Sequence, residues 1–235
     1  MVDPPAHAAA IAPTRTIADC IAAGRNNFLL LRFLAAGLVL FGHSWAIALN
    51  PSGESDWLAQ RTLLFSGTLA VNMFFFVSGF LVTMSYERRH SLWAFGKARV
   101  LRIFPALLVC VALSAVVLGP IVSTLSPAAY FGDPQWWRYL IGNASLLDLQ
   151  WKLAGVFTTN RHPDIVNGAL WTLPGEMQMY VYVAALGVLG LLRTRSRFGF
   201  ALAALLIVAV WFRDRVPMVS QAEYYGFAAF FAFGA

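Results

Sequence analysis

The stretch "LLLRFLAAGLVLFGHSW", residues 29–45, is almost wholly apolar, yet it carries Arg32 and His43. The apolar run extends over 28–49, enough for a helix crossing a bilayer, which takes about 20 such residues. Ionisable groups at that depth cost several kcal/mol, and where they persist they usually face a cavity or a partner and carry function. A helix turns ~100° per residue, so eleven residues make about three turns plus 20°. Arg32 and His43 therefore share one face, roughly 16 Å apart along the axis. A spacing of four would suggest contact or a metal pair; this one describes two stations on one track. The plainer readings are that Arg32 reaches back to the headgroups and that His43 hydrogen-bonds a neighbouring helix.

The rest of the chain has the same character. Its 235 residues are 59% hydrophobic and 12% charged, with mean hydropathy +0.66. A soluble domain carries about 25% charged residues, so the composition points to an integral membrane protein. The first 27 residues are Ala/Pro-rich and polar, with no apolar core before a cleavage site, which argues against a signal peptide. Cys20 and Cys110 have no motif spacing, and neither a disulfide nor a metal site is read from them. The net charge of +6 lies in short segments between apolar runs, so nucleic acid is not an expected partner.

Candidate spans are 28–49, 63–84, 103–121, 172–192, 198–212 and 222–235, the last still apolar at Ala235. The stretch 139–151 is too short and polar to span, and is expected at the interface or re-entrant. Arg15 and Arg25 precede the first span; Arg88, Arg89, Lys97, Arg99 and Arg102 crowd 85–102; Arg193, Arg195 and Arg197 fill 193–197. Alternate loops are thus basic, which predicts a cytoplasmic N-terminus and an outside loop at 122–171, rich in Trp and Pro.

Two further segments carry candidate chemistry. "WTLPGEMQMY", 171–180, opens the fourth span: Pro174 suits a first helical turn and places Glu176 in it. An acid there is favoured by the helix dipole alone. Glu176 is also expected near the depth of His43, where a carboxylate could fix an imidazole's tautomer. In "KARVLRIFP", 97–105, Arg99 and Arg102 share a face if helical, and Pro105 marks a helix start. Such arginines suit phosphates, although positive-inside charge needs no ligand. In "VNMFFFVSGF", 71–80, Asn72, Ser78 and Gly79 read as helix-packing residues. No histidine pair has metal-ligand spacing and no Gly-rich phosphate loop occurs.

In order along the chain stand Arg32-x10-His43, "FFFVSGFLVT" (74–83), "KARVLRIFP" (97–105) and "LWTLPGEMQMY" (170–180). This series resembles the acyltransferase-3 family of multi-pass bacterial membrane acyltransferases, over roughly residues 26–235. The resemblance implies transfer of an acyl group, commonly acetyl from acetyl-CoA, to a hydroxyl of a carbohydrate or lipid-linked glycan, in the bacterial inner membrane. It implies an essential histidine at His43, a base or an acyl carrier, and the paired arginine at Arg32. It puts the CoA end at Lys97, Arg99 and Arg102, and the motif glutamate at Glu176. No resident cofactor is implied; acyl-CoA is a substrate. The expected fold is an all-α polytopic transmembrane bundle with about six spans. It divides into a mobile cytoplasmic tail, 1–25, and a membrane domain, 26–235. Relatives have about ten helices, so a C-terminally truncated larger bundle is expected. The competing class is a transporter using Arg, His and Glu as a relay.

Overall fold

The computed structural model describes residues 27–49, 56–62, 64–89, 91–160, 162–194, 196–201, 203–204 and 222–235. The expected tail 1–25, and Cys20 within it, lie outside these. Among the described residues the regular elements are helical. Helix α1 (Phe28–Ser44) continues into a π-helical segment, Trp45–Leu49; α2 is Trp57–Thr62 and α3 is Ser66–Arg89. Helix α4 (Leu92–Leu113) runs through a π-helical segment, Ser114–Leu118, into α5 (Gly119–Val122). Then come α6 (Pro127–Gly132), α7 (Pro134–Ser145), a 3-10 turn at Gly168–Trp171, α8 (Thr172–Val188) and α9 (Ala222–Gly234).

Among the described residues three stretches are long and apolar enough to cross a membrane: Phe28–Ile47, Ser66–Arg89 and Leu92–Val122. The fourth and sixth expected spans appear as shorter helices of 17 and 13 residues, and most of 198–212 lies outside the described residues. The outward faces are apolar, with Leu29, Phe33, Leu40, Trp93 and Ile121 exposed. Hydrocarbon solvates such faces and requires the backbone to satisfy itself within helices.

The third span departs from expectation. It begins at Leu92, not near Pro105, and Ser91 caps it by accepting from the Ala94 N–H at 3.3 Å. Pro105 sits inside the helix, where it removes one i→i−4 bond. In lipid the neighbouring peptide groups have no alternative partner, so the helix carries on through it. Lys97, Arg99 and Arg102 are therefore helical residues, not loop residues.

Helix α3 is the centre of the bundle; α1, α4, α8 and α9 all pack on it. The α3–α9 crossing is close because both helices lack a side chain where they meet. A Cβ on Gly79 would enter the Phe231 backbone, and one on Gly234 the Phe76 backbone. This is small-residue packing, as membrane helices use where no hydrophobic force joins them. Phe75 and Phe227 stack beside the crossing, 4.8 Å between centroids.

At the other end of α3, buried Asp56 ties two helices together. Its carboxylate accepts from the Ala59 N–H at 2.7 Å, capping α2. It also accepts from the Ser66 N–H at 2.9 Å and the Ser66 hydroxyl, holding the start of α3. Burial pushes this carboxyl up, but the hydrogen bonds from Ser66 and Ala59 outweigh it and hold it below the ordinary aspartate value. Gly42 of α1 lies against this corner: a Cβ there would sit 2.5 Å from Ser66 Oγ. The corner therefore sets where the end of α1, and His43 with it, can stand.

The segment 122–171 is folded onto the bundle. The Gly119 N–H reaches past Ala115 to the Ser114 carbonyl, in the π pattern, and Pro120 has no N–H to offer. The Ala115 carbonyl is left free for side chains. It accepts from Tyr130 Oη at 2.8 Å and Trp136 Nε1 at 3.1 Å. The wholly buried Tyr130 hydroxyl is pushed up to about 12 by desolvation. Further along, Asn167 Nδ2 donates to Cys110 Sγ at 3.0 Å. Cys110 lies twelve residues, ~18 Å, before the end of α5, so this segment re-enters the bundle just before α8 begins.

Candidate functional site

The first turns of α8 divide two cavities. Thr172, Leu173 and Glu176 point into one of about 640 Å³, where they meet Arg32 of α1, Ser78 of α3 and Arg102 of α4. Trp171, Pro174 and Gln178 point into another, of about 1450 Å³, where they meet His43. The separation follows from the helical period: Glu176 and Gln178 are two residues apart, ~200° around the axis.

In the larger cavity His43 Nδ1 lies 2.8 Å from the Val39 carbonyl oxygen. A carbonyl only accepts, so Nδ1 carries a proton, and in the neutral imidazole Nε2 then presents its lone pair. The Phe65 ring stands edge-on at 6.4 Å. Beyond His43 the lining combines aromatic surfaces, Trp151, Phe157 and Trp171, with polar side chains, Asp148, Asn160, His162 and Asn167. The wall formed by 146–167 is pinned by the Lys152–Asp164 ion pair at 2.9 Å and by the Val166 N–H donating to the Trp151 carbonyl at 2.9 Å. Asn143 anchors it too, bonding both the N–H and the carbonyl of Gln150.

In the smaller cavity two guanidinium groups face one carboxylate. Arg32 is within electrostatic reach of Arg102, Glu176 and Tyr180. Glu176 accepts a hydrogen bond from the Tyr180 hydroxyl, one turn on. Arg99 stands behind the cavity wall, its Nη2 3.3 Å from Ser85 Oγ and its guanidinium 5.4 Å from the Tyr180 ring centroid and 5.6 Å from that of Phe95. The cavity lining thus has a surplus of positive charge, suited to an anion.

The expected site residues are therefore distributed rather than gathered. Arg32, Arg102 and Glu176 come together. His43 stands apart, and the structure does not bring Glu176 to it: the Val39 carbonyl holds the imidazole instead. Glu176 also lies past the first turn of its helix, which starts at Thr172, so the helix dipole alone accounts for less of its placement. Arg99 and Arg102 share a helix side, but Arg102 faces the cavity and Arg99 the protein. Lys97 is exposed and lines neither cavity. Among the described residues no group of three or more His, Cys, Asp or Glu could hold a metal.

The family model Acyl_transf_3, an acyltransferase domain, matches residues 26–235. The chain belongs to the acyltransferase-3 family. Among curated proteins it is 34% identical over 198 residues to "Nodulation protein 10" of Rhizobium leguminosarum bv. viciae, covering 80% of this chain and 50% of that protein. It is 31% identical over 185 residues to an "O-acetyl transferase" of Shigella phage Sf6, covering 79% and 51%. The chain spans about half the length of the curated relatives it matches. No solved structure matches it.

For this acyltransferase-3 chain, sequence reasoning passed over Gln178 and took Tyr180 for an interface anchor, whereas Tyr180 is buried against Glu176. Tyr180 could have been found as the i+4 neighbour of Glu176 on one helix. Gln178 is a polar residue in an apolar run, which is itself a signal. His162 and Asn167 had no local signal, because a re-entering segment brings them in from afar.

Proposed function

We propose that the whole protein is a membrane O-acyltransferase, moving an acyl group, acetyl first among them, from acyl-CoA to a hydroxyl of a saccharide acceptor. The observation that carries this reading is the placing of His43: its Nδ1 lies 2.8 Å from the Val39 carbonyl oxygen, which in the neutral imidazole leaves Nε2 as the base inside a cavity of aromatic and amide side chains. His43 Nε2 takes the proton of the acceptor hydroxyl as its oxygen attacks the acyl carbonyl. The carbonyl–sulfur bond breaks, and the leaving thiolate of CoA receives the proton. Arg32 and Arg102 hold the anionic donor, entering from the basic, cytoplasmic side. Glu176, tied to Tyr180, is their counter-charge and spaces the two guanidinium groups. The Trp-lined cavity takes the acceptor, since aromatic faces with a few amides suit a polyhydroxylated ring.

The test is transfer from labelled acetyl-CoA by membranes carrying the whole protein, supplied with envelope glycans. Label should appear on the glycan with wild-type protein and fall 10²–10⁴-fold with His43→Ala. Equal labelling by both would remove His43 as the base. No labelling by wild type with any glycan would overturn the reading.

A further inference from the structure

Among the polar groups of the larger cavity that the reaction above does not use, one stands buried and unpartnered. Gln178 lines that cavity, on the same face of α8 as Pro174, beside Trp171 at the end of the preceding turn. Its Oε1 is closed off from solvent and has no hydrogen-bond partner. Every buried amide oxygen has alternatives in a helix bundle: a neighbouring hydroxyl, a backbone N–H, or a lipid-facing position where a polar residue would not be retained. Gln178 has taken none of these. Native proteins leave such groups unpaired mainly where something else is to complete them. A glutamine can turn either its oxygen or its nitrogen inward, because the terminal torsion is broad. Nothing else on α8 does the same work: Pro174 has no donor, and Glu176 faces the other cavity, engaged by Tyr180.

We propose that Gln178 binds the acceptor: its amide takes a hydrogen bond from the hydroxyl neighbouring the one that reacts at His43, and so selects saccharides with two adjacent hydroxyls over simple alcohols and deoxy sugars. This rests on reading the His43 cavity as the acceptor site. His43 has a single free nitrogen and can engage one hydroxyl only. A second, directional contact is what fixes which hydroxyl of a ring stands at that nitrogen. An amide can accept from one hydroxyl and donate to the next, whereas the aromatic walls fix the plane of the ring but not its rotation.

The experiment uses the whole protein in nanodiscs, with Trp151 and Trp171 as reporters because both line the cavity. Tryptophan fluorescence is titrated with methyl glycosides of hexoses and N-acetylhexosamines, and with their monodeoxy analogues. Gln178→Leu keeps the side chain's bulk and removes its hydrogen bonds; Gln178→Glu keeps the acceptor oxygen. Wild type should bind a glycoside roughly tenfold tighter than the analogue lacking the neighbouring hydroxyl, and Gln178→Leu should bind both alike. Gln178→Glu should retain part of the preference. Equal discrimination by wild type and Gln178→Leu would overturn the assignment while leaving the cavity an acceptor site. Absence of any glycoside response in wild type would overturn both. Acetyl transfer is followed in the same preparation. Gln178-dependent glycoside binding without transfer from acetyl-CoA would sustain the inference and sink the acyl-CoA reaction instead.

Discussion

At the scale of single residues, the geometry separates roles that charge alone leaves equal. Arg102 lines the smaller cavity, while Arg99 is held by Ser85 and lies against the Tyr180 and Phe95 rings. Arg102→Ala is expected to raise the KM for acetyl-CoA by roughly 10- to 150-fold, the worth of one charge-assisted hydrogen bond, with the acceptor KM little changed. Arg102→Lys keeps the charge but not the forked geometry, and should fall between the two. Arg99→Ala should instead lower the melting temperature more than Arg102→Ala does, because it removes packing within the protein. Steady-state kinetics with both substrates varied, beside thermal melts of the same preparations, check both statements. The same KM for wild type and Arg102→Ala would leave Arg102 a topology signal and nothing more.

At the scale of elements, the corner of α2, α3 and the end of α1 depends on Asp56. Its folded pKa lies below the unfolded value of 3.8, so its contribution to stability is present above that value and lost as the pH falls through the folded pKa. Asp56→Ala uncaps two helices at once and is expected to cost about 1–4 kcal/mol at neutral pH. The melting curves of wild type and variant should converge in acid, below 3.8. A gap that persists unchanged there would mean that the carboxylate's charge is not what holds the corner. The α3–α9 crossing gives a second prediction. Gly79→Ala puts a methyl group into the Phe231 backbone and should destabilise the bundle by about 1–3 kcal/mol, read as a lower melting temperature. Gly96→Ala, at a position with open space around its Cβ, is the matched control and should be neutral or slightly stabilising.

At the scale of the whole molecule, the prediction is orientation. Arg88, Arg89, Lys97, Arg99 and Arg102 gather where α3 ends and α4 begins, while the 122–171 segment folds over the opposite ends of those helices. The positive-inside rule then predicts a cytoplasmic position for the basic turn. With Cys20 and Cys110 removed, a single cysteine in place of Gly132 should react with an impermeant thiol reagent on intact cells, and one in place of Arg88 should react only after lysis. The reverse pattern would invert the bundle, and with it the route proposed for the donor.

The sequence by itself determined the membrane environment, the helical fold class, the shared face of Arg32 and His43, and the order of the family motifs. Each of these is local: composition sets the solvent, and the 3.6-residue period sets the face. The sequence also invited a wrong helix start at Pro105, because proline favours first turns without being confined to them, and it set Glu176 too early, in the first turn that Pro174 does occupy. Only the tertiary structure decided that Glu176 belongs with Arg32 and Arg102 while Gln178 stands with His43. Spacing places two residues on opposite sides of a helix; it does not say what packs on either side. That depends on α3 taking the centre of the bundle through Gly79 and Gly42, and on Asn167 reaching Cys110 from 57 residues away. Contacts at that separation follow from which surfaces bury each other, and no local pattern records them.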